Sequence, residues 1–220
     1  MAAVRYRFHT MEFADTDIHF RTLRDRQQFD DPEGITEALG VSPASWPLFG
    51  VVWAAGEVLA HRMDCSDLQG RRVLEVGCGI GLASLIMNQQ QVDITASDYN
   101  PDAGEFLAYN TRLNNSPDIP FICSDWSSKP SDYGLFDLII GSDVLYEPNH
   151  ASLLAGFIDQ HAAPAAEAII IDPGRGNIPA FCRQMATFGF SYKRSKAVMS
   201  ERMTQPFRGN LLEFSRVPSR

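Results

Sequence analysis

The stretch Glu75-Val76-Gly77-Cys78-Gly79-Ile80-Gly81 sets a carboxylate directly ahead of a glycine-rich turn. Glycines permit a tight turn and let a ligand lie against the backbone. A helix starting just beyond presents free N–H groups to a polar or anionic ligand group. The spacing is not that of a dinucleotide site. GxGxxG needs glycine where Leu82 stands, and the third glycine comes one place early, at Gly81. A carboxylate at Glu75 is awkward beside a pyrophosphate and acceptable beside the ammonium group of an amino acid.

Further polar residues recur at similar places. Ser97-Asp98-Tyr99 puts an acid 19 residues after Gly79, where a carboxylate can accept hydrogen bonds from two ribose hydroxyls. That feature alone suits NAD as well as S-adenosylmethionine. In Ser124-Asp125-Trp126, Asp125 is an acceptor for an adenine amino group and Trp126 a ring to stack on it. The run Gly141-Ser142-Asp143-Val144-Leu145-Tyr146-Glu147-Pro148 follows a mostly apolar segment. A carboxylate such as Asp143, placed at the end of a buried strand, rarely serves packing alone.

The elements that must position these residues are legible in the periodicity. Arg72 to Val76 reads as a strand, followed by the glycine turn and a helix from Leu82 to Gln90. Val92 to Ala96 is a second strand, and Pro101 suits the first turn of a helix running to Leu113. Pro120 to Cys123 is a short strand, and Phe136 to Gly141 is the continuous apolar run of a strand buried on both faces. A helix from His150 to His161, a strand from Ala168 to Ile171 and a helix from Ile178 to Phe188 follow. Such alternation implies a mostly parallel sheet with helices on both faces, whose ligands bind at the carboxyl ends of the strands. Phe190 to Met199 and Phe207 to Ser215 read as strands added antiparallel. Ahead of all this, Val4, Tyr6 and Phe8, then Ile18, Phe20 and Thr22, alternate around Asp15-Thr16-Asp17, the pattern of a β-hairpin. A polar arm with one short helix over Ile35 to Leu39 leads to a helix over Val51 to Arg62.

Bulk composition narrows the classes. The chain has 220 residues, 45% hydrophobic and 21% charged, as one globular core requires. A net charge of −8 speaks against a nucleic-acid backbone as partner and suits a neutral small molecule or a basic protein. Cys65, Cys78, Cys123 and Cys182 form no CxxC pair, so neither a zinc site nor a disulfide framework is expected. The N-terminus has no signal-peptide core, and Trp46 to Gly56 is too short to span a bilayer. A cytoplasmic protein that holds no metal and binds no membrane is the expectation.

The segments VLEVGCGIGLASL, ASDYN, CSDW and GSDVLYEP together resemble the seven-strand S-adenosylmethionine methyltransferases, and among them methyltransferase family 16, a branch holding many protein-lysine methyltransferases and some sequences labelled nicotinamide N-methylases. The resemblance runs over residues 46 to 215 or so. It implies a Rossmann-like doubly wound sheet of seven strands, mostly parallel with an antiparallel C-terminal strand. Residues 1–45 have no counterpart and read as an arm or lid, leaving 46–220 as the methyltransferase domain. Asp143 and Tyr146 match the family's acid-x-x-aromatic motif, and Trp53 matches a tryptophan near the cofactor. The resemblance thus implies Asp143 and Tyr146 as catalytic. It implies S-adenosylmethionine held by Trp53, Glu75, Gly77, Cys78, Gly79, Asp98, Tyr99, Asp125, Trp126, Ser142 and Asp143. The loop Asp172-Pro173-Gly174-Arg175-Gly176 is reminiscent of electron-transfer-flavoprotein lysine methyltransferases, with Arg175 placed to hold an anionic substrate group. The expected reaction is methyl transfer to a protein lysine. A small-molecule amine or pyridine-like acceptor is the alternative, and an NAD-dependent oxidoreductase or a non-catalytic cofactor-binding module are the readings from other classes.

Overall fold

A computed structural model describes residues 4–127, 133–198 and 201–217. Its main sheet has seven strands: β3 (Arg72–Val76), β4 (Asp93–Asp98), β5 (Phe121–Cys123), β6 (Phe136–Ser142), β7 (Ala162–Asp172), β8 (Ser191–Lys196) and β9 (Asn210–Arg216). Their order is β5-β4-β3-β6-β7-β9-β8, parallel except for β9, which runs antiparallel to both its neighbours. The sheet is Rossmann-like and doubly wound, as the alternation of elements implied. The chain leaves β3 toward β4 and β5, then returns to the other side of β3 as β6. Right-handed crossovers therefore change faces there and open a crevice at the carboxyl ends of β3 and β6.

The six helices follow from that winding. Helices α2 (Ala54–Asp64), α3 (Leu82–Gln89) and α4 (Asp102–Leu113) share one buried cluster, with Leu59, Leu85, Ile86 and Leu107 almost inaccessible. Helices α5 (His150–His161) and α6 (Ile178–Thr187) share the other cluster, around Leu154, Ile158 and Phe181. A four-residue helix, α1 (Ile35–Ala38), lies in the arm. The central strands bury both faces: Leu74, Ile139 and Ile140 have no exposure.

Several boundaries differ from the sequence reading. Helix α2 begins at Ala54, because Trp46–Leu48 form a single 3-10 turn and Trp53 caps the helix in an extended conformation. Trp53 Nε1 donates to the Leu48 carbonyl at 2.9 Å, which closes that turn against the helix start. Pro101 stands just before α4 rather than in its first turn, and the Asn100 side chain accepts the Asp102 amide at 3.0 Å. Strand β7 starts at Ala162, six residues before the expected Ala168. Its first half, Ala162-Ala163-Pro164-Ala165-Ala166, carries little strand preference, and Pro164 is tolerated where the register with β6 shifts. Strand β9 begins at Asn210, because Gly209 is pressed between the Phe207 ring and the Asp172 carbonyl. The first expected C-terminal strand ends at Lys196 in the structure, and its last residue, Met199, lies outside the described residues.

Strands β1 (Tyr6–Glu12) and β2 (Asp17–Leu23) form the N-terminal hairpin. It docks on α4 through two asparagines. Asn110 accepts the Arg21 amide at 2.8 Å and donates to the Arg21 carbonyl at 3.3 Å. Asn114 does the same with His19, at 2.8 Å and 2.7 Å. Four helical residues advance about 6 Å and two strand residues about 6.8 Å, so asparagines at i and i+4 match strand residues at j and j−2. The Arg21 guanidinium lies over the Tyr109 ring at 3.8 Å and over Tyr6 and Phe106 at 4.6 Å each. Ile18, Phe20 and Leu23 join the same buried cluster as α2, α3 and α4.

Asn110→Ala should therefore lower stability by about 2 kcal/mol, because the Arg21 backbone groups lose both partners. Urea unfolding measures the loss. Hydrogen exchange at Arg21 should quicken before exchange in β3.

Candidate active site

The crevice holds a cavity of about 590 Å³, within the range of small-molecule and cofactor sites. Its floor is the turn after β3. Gly77 and Gly79 have φ of 60° and 54°, the left-handed region that disfavours a side chain. A Cβ on Gly77 would stand 2.8 Å from Val144 Cγ1, and one on Gly79 would stand 3.1 Å from the Phe49 carbonyl. Both positions are thus confined by sterics as well as by conformation.

Two carboxylates organise that turn. Asp98, at the end of β4, accepts the Gly79 amide at 2.8 Å on one oxygen and the Asn100 amide at 2.9 Å on the other. A carboxylate has about four acceptor positions, so each oxygen keeps capacity for a hydroxyl. Burial pushes the Asp98 carboxyl up, against those backbone amides. Glu75, at 3% exposure, receives the Ser84 hydroxyl and, at 3.0 Å, the Ser84 amide in the first turn of α3. Burial raises its carboxyl to about 7, with Ser84 opposing the rise and Asp98 adding to it.

The remaining expected residues line the same cavity: Trp53, Cys78, Tyr99, Asp125, Trp126, Ser142, Asp143 and Tyr146. Trp53 carries the Arg26 guanidinium 4.2 Å over its ring. Tyr99 is exposed at the rim, its hydroxyl close to Gly40 of the arm. Asp125 accepts the Ser127 amide at 2.9 Å and the Ser127 hydroxyl at 2.5 Å. Burial holds the Cys78 thiol well above its ordinary range. Asp143 has φ 54° and donates its amide to the Ile171 carbonyl at 2.8 Å, so the chain leaves β6 in a conformation rare for a non-glycine residue. Tyr146 is half exposed.

Arg175, which the sequence places to hold an anionic substrate group, has a partner within the protein: Nε donates to Asp143 Oδ1 at 2.5 Å and Nη2 to Oδ2 at 3.0 Å. The partners stand 32 residues apart on separate loops, so no local spacing announces the pair. Reasoning from motifs also missed His150, which bridges two site rings. Its centroid lies 5.2 Å from Trp126 and 4.6 Å from Tyr146, both edge-on, and Nδ1 donates to the Val144 carbonyl at 3.0 Å. Gly40, Val41 and Ser45 of the arm and Phe49 just beyond it also line the cavity. Their contact is tertiary and has no sequence signature. Among the described residues no group of three or more His, Cys, Asp or Glu is arranged to hold a metal. Nor, among the described residues, is any helix long and apolar enough to cross a membrane.

This fold, with a ligand crevice over a glycine turn flanked by Glu75 and Asp98, is that of the Rossmann-like methyltransferases. It superposes on a TehB-like SAM-dependent methyltransferase from Corynebacterium glutamicum with TM-score 0.57 at 16% identity, over 76% of this chain and 89% of that one. For the magnesium protoporphyrin IX methyltransferase of Synechocystis with bound SAM, the TM-score is 0.55 at 18% identity, over 74% and 77%. The lysine methyltransferase family matches residues 47–174, more than half of the sequence, and this chain belongs to it. Similar relatives include the electron transfer flavoprotein beta subunit lysine methyltransferase of Xenopus laevis, 28% identical over 60% of this chain and 55% of the relative. Protein N-lysine methyltransferase METTL21A of Danio rerio is 32% identical over 46% and 51%. The chain thus spans about half the length of the curated relatives it matches.

Glu75 makes stability pH-dependent in a predictable direction. Its carboxyl titrates near 7 when folded, against an ordinary 4.5. The folded state therefore binds the proton more tightly. This contribution is complete below pH 4.5 and is lost as pH rises through about 7. Glu75→Gln should gain on the wild type by about 2 to 3 kcal/mol between pH 5 and pH 8, measured by urea unfolding.

Proposed function

We propose that this chain is an S-adenosylmethionine-dependent N-methyltransferase whose acceptor is a lysine side chain of a protein. The observation that carries the reading is Asp143, held at the mouth of the β6 strand by a left-handed backbone, with Tyr146 three residues on at the cavity rim. The donor set fits the cofactor. Asp98 retains acceptor capacity for two ribose hydroxyls, and Glu75 stands ready for an ammonium group. Trp126 and Val144 supply apolar wall for a purine, and Asp125 an acceptor at its edge. Trp53, Gly77, Cys78, Gly79, Tyr99 and Ser142 complete the proposed binding surface.

When bound, S-adenosylmethionine supplies a methyl carbon whose bond to sulfur breaks, leaving its electron pair on sulfur, as the amine lone pair forms the new bond. The protein's part is to position the amine and exclude water. Asp143 accepts an N–H of the acceptor amine and so orients its lone pair. Tyr146 forms one wall of the slot, its ring favouring the cationic product. Residues 1–45 act as an arm over the cofactor half of the cavity, since Gly40 meets Tyr99, and Phe49, just beyond the arm, meets Gly79. The Tyr146 side stays open, with that ring 51% exposed, which suits an acceptor carried on a macromolecule. The net charge of −8 suits a basic protein surface. The electron transfer flavoprotein beta subunit and METTL21A relatives are lysine methyltransferases, which agrees with this acceptor class.

Calorimetric titration with S-adenosylhomocysteine, with NADH as control, tests the cofactor class; binding of NADH alone would point to an oxidoreductase. Labelled-methyl transfer to lysine residues of a cell lysate tests the acceptor. Asp143→Asn should cut kcat by about 100-fold while S-adenosylhomocysteine affinity stays within about threefold. Undiminished turnover in the folded variant would remove Asp143 from the reaction.

A further inference from the structure

An amine can attack only through a free lone pair, and a lysine side chain is mostly ammonium at neutral pH. The proposed slot is rich in negative charge. Glu75, Asp98, Asp143 and Glu147 all line the cavity, and Asp172 lies buried behind the Arg175 loop. Asp125, Cys78, Tyr99, Tyr146 and His150 are the other titratable groups described on the same lining. An uncompensated carboxylate beside the acceptor would hold it as ammonium, with no lone pair to offer. Among the described residues that line the cavity, a single side chain carries a permanent positive charge, and that is Arg175.

Its geometry goes beyond charge. The fork from Nε and Nη2 engages both Asp143 oxygens, fixing the plane of the carboxylate. It uses two of about four acceptor positions and leaves the others for an N–H. Each partner is anchored independently. Asp143 is tied to Ile171 on β7, the neighbour of β6 in the sheet. The Arg175 and Gly174 amides both donate to Asp172 Oδ1, at 2.9 Å and 2.7 Å, and the Asp172 side chain is fully buried. Gly174, with φ 103°, shapes the turn that delivers the guanidinium.

We propose that Arg175 is a positioning residue that acts through Asp143: it cancels the carboxylate's charge while leaving acceptor positions open, so the slot takes up a neutral amine and does not trap an ammonium. This rests on the N-methyltransferase reading above. Hydrogen bonding to Asp143 keeps the guanidinium protonated at every working pH. The positive charge of Arg175 is therefore constant as the acceptor enters.

Sinefungin, which carries an amine where S-adenosylmethionine carries its sulfonium methyl, probes the slot without turnover. The ratio of sinefungin to S-adenosylhomocysteine affinity should rise about tenfold in Arg175→Gln at pH 7.5, as the unmasked Asp143 captures the ammonium. Arg175→Lys, which restores the charge without the fork, should bring the ratio back. For a methylated lysine substrate, Arg175→Gln should lower kcat at pH 7.5 without raising KM and move the alkaline-rising limb of the rate profile up by about one pH unit. An unchanged sinefungin ratio with an unchanged profile in a folded variant would overturn the proposal. So would faster turnover of Arg175→Gln at every pH, which would mark Arg175 as a plug. Failure of the wild type to bind S-adenosylhomocysteine would instead sink the methyltransferase reading on which the proposal stands.

Discussion

The hydrogen bond from the Gly79 amide to the Asp98 carboxylate is the constraint on which the crevice depends. It joins the turn after β3 to the end of β4 and lets Gly77 and Gly79 hold left-handed conformations without a strand neighbour. The Cys78 amide donates to the Ser97 carbonyl at 2.9 Å, continuing the ladder between the two strands one step into the turn. With the turn fixed, the first amides of α3 face inward, and Ser84 meets Glu75. A buried acid is tolerable at each position because backbone N–H groups, already oriented by the fold, share the cost of its desolvation.

That arrangement concentrates acids at one end of the sheet. Glu75, Asp98 and Asp172 sit at or next to the carboxyl ends of β3, β4 and β7, and burial pushes all three carboxyls upward. Parallel strands bring their carbonyl ends to a common edge, where amides of the following helices and turns become available as donors. Acids placed there gain partners that they would lack mid-strand. Asp172 shows the limit of this solution. One oxygen takes two amides, while Oδ2 has no partner among the described residues.

Much of this was legible in the sequence. Strands β3 and β6 are short apolar runs that end in Glu75-Val76-Gly77 and Ser142-Asp143, so the polar lining of the cavity was readable from where the apolar pattern stops. The hairpin was readable from its alternation around Asp15-Thr16-Asp17. The start of β7 was not, because alanines and Pro164 state no preference that a neighbouring strand could not override. Nor was the cap at Trp53, since Val51 and Val52 look helical in spacing yet border the cavity. The Arg175–Asp143 pair lay furthest from view: each residue stood out singly, and only the pairing of β6 with β7 brings them within reach.

The asparagine clamp on α4 separates how the arm is attached from what the arm is made of. Asn110 and Asn114 grip main-chain N–H and C=O groups of Arg21 and His19, which every residue but proline possesses. The grip itself is thus indifferent to side-chain identity, while the seat is not: the Arg21 guanidinium lies over the Tyr109 and Phe106 rings, and Ile18, Phe20 and Leu23 are buried with α2, α3 and α4. Variation in the hairpin is therefore confined to positions that neither stack on α4 nor enter that core.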